Sequence, residues 1–90
     1  ILSKWDIDLK PYLTALNSVT NAAAKCDRMA LVESLVLLGA HQLELNEQVG
    51  WAKIDLGRTD AQRAAIDNEY ADVVLRGQSV IADALTSCWR

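Results

Sequence analysis

Apolar residues recur every three or four positions along most of the chain, which is the spacing of one face of an α-helix. The first such series is Leu9, Tyr12, Leu13, Leu16, Val19 and Ala23. Asp8 is a suitable N-cap for this helix, and Pro11 falls in its first turn, where no N–H is needed. The pattern predicts a first helix over about residues 9–25.

A second helical pattern follows Asp27, which is also an N-cap residue type. Its apolar positions form two edges, with Leu31, Leu35, Leu38, Leu45 and Val49 on one and Val32, Gly39 and Leu43 on the other. A face this wide is typical of a middle helix that contacts both of its neighbours. The pattern stops at Gly57, a suitable C-terminal cap, and predicts a helix over about 28–56.

The third helix begins with a capping box, Thr59-Asp60-Ala61-Gln62, in which two side chains satisfy free backbone amides reciprocally. Its apolar face continues to Cys88, so we predict a helix over about 60–89. Short loops between helices favour antiparallel neighbours. The chain is therefore expected to be one all-α domain over residues 1–90. Its predicted fold is an up-down-up antiparallel three-helix bundle with a short first helix and a long hairpin of the second and third.

This topology brings the two cysteines, Cys26 and Cys88, to the same end of the bundle, so we expect them to form a disulfide. The alternative is a pair of buried, reduced thiols. A disulfide across a 62-residue separation would add about 4 kcal/mol in the chain-entropy model. It would also favour a secreted or periplasmic protein, since disulfides persist in oxidising compartments.

Charge narrows the possible partners. The chain has 12 acidic and 9 basic residues, a net charge of −3, and its Lys and Arg residues are scattered. Nucleic acids and anionic membrane surfaces are therefore disfavoured. The longest apolar run, residues 30–40, is shorter than the ~20 residues that a membrane span needs. Because the first residue is Ile1 and not Met, we expect a processed or trimmed product.

Catalytic and metal chemistry finds little support. His41, Glu44 and Glu47 share one side of the second helix, but this His is the only one in the chain and the three lie off the apolar positions. No nucleophile motif is present, and a cysteine in a disulfide cannot act as a nucleophile. We therefore predict no catalytic residues, no metal and no cofactor. A helical enzyme is the least favoured hypothesis.

Two polar residues, Gln42 and Asn46, interrupt the apolar stripe of the second helix between Leu38 and Val49. One interpretation is a buried amide pair that is hydrogen-bonded to the third helix, through Tyr70 or Gln62, and fixes its register. The other is a pair of polar contacts in a pocket, as in a carrier of a small apolar ligand between the helices.

The end of the hairpin far from the cysteines gives the clearest functional signal. The first helix is too short to reach it, so five apolar residues there are expected to be partly open unless something else covers them: Val49, Ile54, Leu56, Ala65 and Ile66. The predicted partner-binding residues are four of these, Val49, Ile54, Leu56 and Ile66, together with Trp51. The cover could be the N-terminal arm (residues 1–5), a second copy or another protein. Trp51 also falls on the polar side of its helix, and Trp is enriched in binding hot spots. The sequence thus predicts a small, non-catalytic interaction module (an inhibitor, immunity-type or adaptor protein) that acts through this end.

Overall fold

The computed structural model describes residues 5–89 of the chain, which form three α-helices. They are α1 (Lys10–Ala24), α2 (Arg28–Ile54) and α3 (Asp60–Cys88). The predicted all-α antiparallel three-helix bundle is confirmed, and each helix boundary lies within two residues of its predicted position. The bundle is elongated, 47 × 17 × 15 Å, because α2 and α3 are nearly twice as long as α1.

The ends of the helices follow local capping chemistry. The Asp27 carboxylate accepts the Ala30 N–H at 3.1 Å and begins α2. At α3 the predicted capping box is complete, because Thr59 Oγ1 accepts the Gln62 N–H and Gln62 Oε1 accepts the Thr59 N–H. These side chains satisfy backbone amides that have no partner within the helix.

Two predicted caps differ in detail. Asp8 accepts the Lys10 N–H at 3.0 Å, but the N-cap position of α1 is Leu9, which makes no side-chain cap. At the other end of the hairpin α2 stops before Asp55, whose carboxylate accepts the Gly57 N–H at 3.0 Å. Gly57 is therefore in the turn and is not the cap itself, because an Asp side chain forms this turn without a left-handed glycine.

The predicted disulfide is present. Cys26, in the turn after α1, is joined to Cys88, the last residue of α3, with Cα atoms 5.2 Å apart. Cys26 has a left-handed backbone (φ 47°), which lets the chain leave α1 and reverse direction within three residues.

The core lies where α1 packs against both long helices. Within this core Tyr12 lies against Gly77, and the hydroxyl of the buried tyrosine fills the space that a Cβ on the glycine would need. Burial raises the pKa of Tyr12 above its ordinary value of 10.0, and the nearby Tyr70 raises it further. The absence of a side chain at residue 77 is thus what lets α1 and α3 approach here.

Only one edge of α2 is buried. Leu31, Leu38 and Leu45 are fully buried, whereas Val32 is 46% and Leu43 is 72% exposed. As predicted, α2 contacts both of its neighbours, but it does so through one edge of the wide apolar face and not through the other. The physical reason is that α1 and α3 both pack on the same side of α2, so a single apolar stripe makes both contacts.

Candidate interaction surface

The residues before α1 run back along the far end of the hairpin and bind both long helices. The Asp8 N–H donates to Gln48 Oε1 on α2 at 2.8 Å. Trp5 Nε1–H donates to Glu69 Oε2 on α3 at 3.1 Å. Ile7, between them, is 2% exposed and belongs to the core. We call residues 5–9 the N-terminal arm; residues 1–4 of the predicted arm lie outside the described residues.

This arm supplies the layer that α1 is too short to provide. Val49 and Ile66, next to the arm's hydrogen-bond partners, are 5% and 0% exposed and share one buried core with Ile7. These two residues are therefore buried within the single chain, and although predicted to bind a partner they are not accessible to one. The cover comes from residues 5–9 of the same chain, and of the described residues Trp5 alone belongs to the predicted arm of residues 1–5. Val49 and Ile66 are core residues of the single chain.

In the turn between α2 and α3, Arg58 contacts both the N-terminal arm and the end of α2. Its guanidinium stacks over the ring of Trp5, 4.8 Å from the centroid, and its Nε–H donates to the Ala52 carbonyl at 3.2 Å. Arg63 adds a bond of 3.0 Å to the Arg58 carbonyl. Sequence reasoning missed this role, because an Arg in a loop has no periodic pattern that indicates its partners.

Beyond the arm, three large apolar side chains remain at the surface. Trp51 is 65%, Ile54 64% and Leu56 100% exposed. We call them the tip cluster. Trp51 borders a shallow groove that is also lined by Trp5, Asp6, Gln48, Ala52, Asp55 and Arg58. These three of the five predicted partner-binding residues are accessible, and their role in binding stays a prediction.

The two amides on α2 are not buried. Asn46 is exposed and Gln42 is half-buried, and within residues 5–89 no hydrogen bond joins either of them to Tyr70 or Gln62. The interpretation of Gln42 and Asn46 as a buried amide pair is therefore wrong. The sequence placed both at the centre of one wide apolar face, but that face is two separate edges, and the residues between them lie at the boundary with solvent.

A ligand pocket at these amides also lacks support. The more apolar grooves of the bundle run along α1, and one of them is lined by Leu9, Leu13, Leu16, Glu69, Asp72, Val73 and Arg76. Neither Gln42 nor Asn46 lines it, so the polar contacts predicted for a small-ligand carrier lie elsewhere on the surface.

The sequence also raised the questions of a metal site on α2 and of a membrane span. His41 Nδ1 lies 3.3 Å from Glu44 Oε2, a local pair on the outside of α2. Within residues 5–89 no three His, Cys, Asp or Glu side chains are grouped so as to hold a metal ion. Among the described helices, none has the length and apolarity to cross a membrane.

Comparisons of the chain with protein-family models, with curated proteins and with solved structures found no match. A functional conclusion therefore depends on the surface chemistry of the bundle.

Proposed function

We propose that this protein is a small, non-catalytic interaction module of an oxidising compartment, secreted or periplasmic, and that it binds another protein through the tip cluster. Inhibitors, immunity-type proteins and adaptors act in this way. The observation that carries the proposal is the exposure of Trp51, Ile54 and Leu56 together at one end of the bundle. Each such side chain would gain about 1.5–3 kcal/mol from full burial in a complex.

The setting of the cluster supports a binding role. Arg58 and the N-terminal arm immobilise the turn that carries Leu56, through the stack on Trp5 and the bond to Ala52. A surface that is already ordered loses less conformational entropy when it binds, so more of its burial energy appears as affinity. A large exposed aromatic beside a preformed groove is also the usual setting of a binding hot spot.

The disulfide supports the compartment. The pair Cys26–Cys88 is at bonding distance, and such bonds persist where the solvent is oxidising. In a domain of this size the bond would supply a large share of the total stability, which suits a protein that works outside the cytosol.

Affinity purification from the native source, followed by native mass spectrometry, tests the proposal. We expect a protein partner to be retained by the wild type and lost with Leu56→Asp and Trp51→Ala. Leu75→Asp is the matched control, since Leu75 is 62% exposed on α3 away from the tip. Equal recovery with all four proteins would contradict the proposal. A retained small molecule without a protein would favour the carrier of a small apolar ligand.

A further inference from the structure

The hairpin of α2 and α3 has α1 on one side and an uncovered apolar surface on the other. Two contacts mark the line where α2 and α3 meet: the stack of Arg28 on Trp89 (5.4 Å) at one end, and the Lys53–Asp67 ion pair (2.8 Å) at the other. Val32 lies one helical turn beyond the stacked arginine, and Leu85 lies one turn before the tryptophan. We call the surface along this line, on the side of the hairpin away from α1, the open face.

Between its two ends the open face is mostly apolar on both helices, with Asn46 on α2 and Gln78 on α3 as polar positions. On α2 it presents Val32, Val36 and Leu43, which are 46%, 68% and 72% exposed. On α3, helical spacing places Ala71, Gln78, Ala82 and Leu85 on the same side, and all four are exposed. The nearby α3 charges, Asp72, Arg76 and Asp83, fall on the other side of the helix. Apolar surface this continuous is uncommon on a soluble monomer.

The α2 part of this face has the spacing of a helix that packs along another helix. Its exposed positions alternate in steps of four and three: Val32, Val36, Gly39, Leu43, Asn46 and Gly50. A repeat of 3.5 residues keeps one seam facing a partner helix over its whole length, here about 27 Å. A Cβ placed on either glycine would meet nothing within 4 Å, so both positions are open gaps in the seam.

We propose that a second copy of this chain packs on the open face, with the two α2 helices antiparallel about a twofold axis level with His41. The sizes of the seam residues are complementary about that point. Gly39 and Leu43 lie two residues either side of it, and Gly50 and Val32 lie nine residues either side. A twofold axis sets each member of a pair against the other member in the second copy, so every glycine receives a bulky side chain.

A parallel pair does not achieve this packing, because it would set Gly39 on Gly39 and Leu43 on Leu43 and leave voids at both glycines. An unrelated helix would need bulky side chains opposite Gly39 and Gly50, whereas a second copy of this seam already provides them. The inferred contact adjoins the tip cluster, because Ile54 lies one helical turn beyond Gly50, but it is argued from the seam residues and does not depend on the proposed function.

Sedimentation equilibrium of the whole, disulfide-bonded chain tests the second copy. We expect the wild type to dimerise and Gly39→Leu to weaken dimerisation by at least about tenfold, because the new side chain fills the space of the incoming leucine. The thermal midpoint of the diluted, monomeric variant should not fall, since residue 39 has open space and leucine is the better helix former. Ala61→Leu, at an exposed position of α3 away from the face, is the control and should dimerise like the wild type.

A wild type that stays monomeric at all accessible concentrations would overturn the proposal, as would a Gly39→Leu variant that associates as well as the control. A cross-linking experiment tests the register. One variant carries Val36→Cys and the other Asn46→Cys, and a short bismaleimide joins the new thiols without reacting with the Cys26–Cys88 disulfide. We expect cross-linking when the two variants are mixed, because the two positions face each other across the axis. Efficient cross-linking of Val36→Cys to itself would instead show a parallel pair.

Salt gives an independent check on the register. Glu33 and Glu47 border the seam on the side away from α3, and the antiparallel pair sets each near the other across the axis. Their repulsion falls as ions screen it, so association should strengthen with added salt. A parallel pair would instead set Arg28 near Glu33, and association that weakens with salt would overturn the antiparallel register.

Discussion

At the scale of single residues, the contact between Tyr12 and Gly77 sets how closely α1 and α3 approach. The tyrosine is 2% exposed, and a Cβ on residue 77 would meet its hydroxyl first, so the side chain would have to shift. Glycine in the interior of a helix costs about 1 kcal/mol relative to alanine. The bundle accepts that cost here because the close packing of a large aromatic against α3 outweighs it.

Gly77→Ala should therefore lower the free energy of unfolding by about 1–2 kcal/mol, since overpacking of about 1–3 kcal/mol outweighs the gain in helix propensity. Chemical denaturation measures it. The same change in a Tyr12→Phe background should cost less, because the nearest clashing atom is the hydroxyl oxygen. Gly50→Ala, measured in dilute protein, is the control and should stabilise. A stabilised Gly77→Ala would show that the hydroxyl moves aside freely.

At the scale of elements, the N-terminal arm acts as a substitute for the missing part of α1. It has almost no regular secondary structure, yet it closes the core over Val49 and Ile66 through one buried side chain and two side-chain hydrogen bonds. Because the arm precedes α1 and the far end of the hairpin is made of α2 and α3, every one of these contacts is long-range in sequence.

Ile7→Ala should cost about 2–4 kcal/mol of unfolding free energy, because it removes a buried side chain and leaves a cavity. Hydrogen exchange should quicken at the ends of α2 and α3 near residues 49–66, and much less near the disulfide. Leu56→Ala, at a fully exposed position, should change stability by less than about 0.5 kcal/mol. Unchanged exchange at residues 49–66 in Ile7→Ala would show that the arm does not hold this end.

At the scale of the whole molecule, the two ends of the bundle are secured by different means. The arm closes one end, and the Cys26–Cys88 disulfide closes the other, tying the turn after α1 to the last residue of α3 across 62 positions. Between them α1 packs on the hairpin from one side only. This one-sided arrangement leaves the tip cluster and the open face exposed.

The double variant Cys26→Ser/Cys88→Ser should lose about 4 kcal/mol of unfolding free energy, because its unfolded state regains the entropy of an open chain. Urea denaturation with and without reductant measures the same difference on the wild type. Intact mass after alkylation of the unfolded, non-reduced protein should show no free thiol. Full alkylation under those conditions would contradict the disulfide, and with it the argument for an oxidising compartment.

The sequence predicted the candidate site only in part, and the individual residues show why. Trp51, Ile54 and Leu56 are exposed: Trp51 lies on the polar side of α2, as the sequence indicated, and Leu56 lies beyond the end of α2 at Ile54. Val49 and Ile66 are buried because the arm returns to cover them. Asn46 is at the surface because it lies on the same uncovered side of α2 as Val32 and Leu43. Periodicity alone does not show which of two apolar edges a neighbouring helix will cover.

The sequence by itself determined the three helices, the N-caps of α2 and α3, the antiparallel order and the meeting of the two cysteines. These features depend on residues that are close in the chain: apolar spacing, cap side chains and short loops, from which the position of each helix end follows. Only the tertiary structure decided the path of the arm, the role of Arg58 and the buried edge of α2. Those depend on contacts between distant segments, where several arrangements bury similar apolar area and packing selects among them.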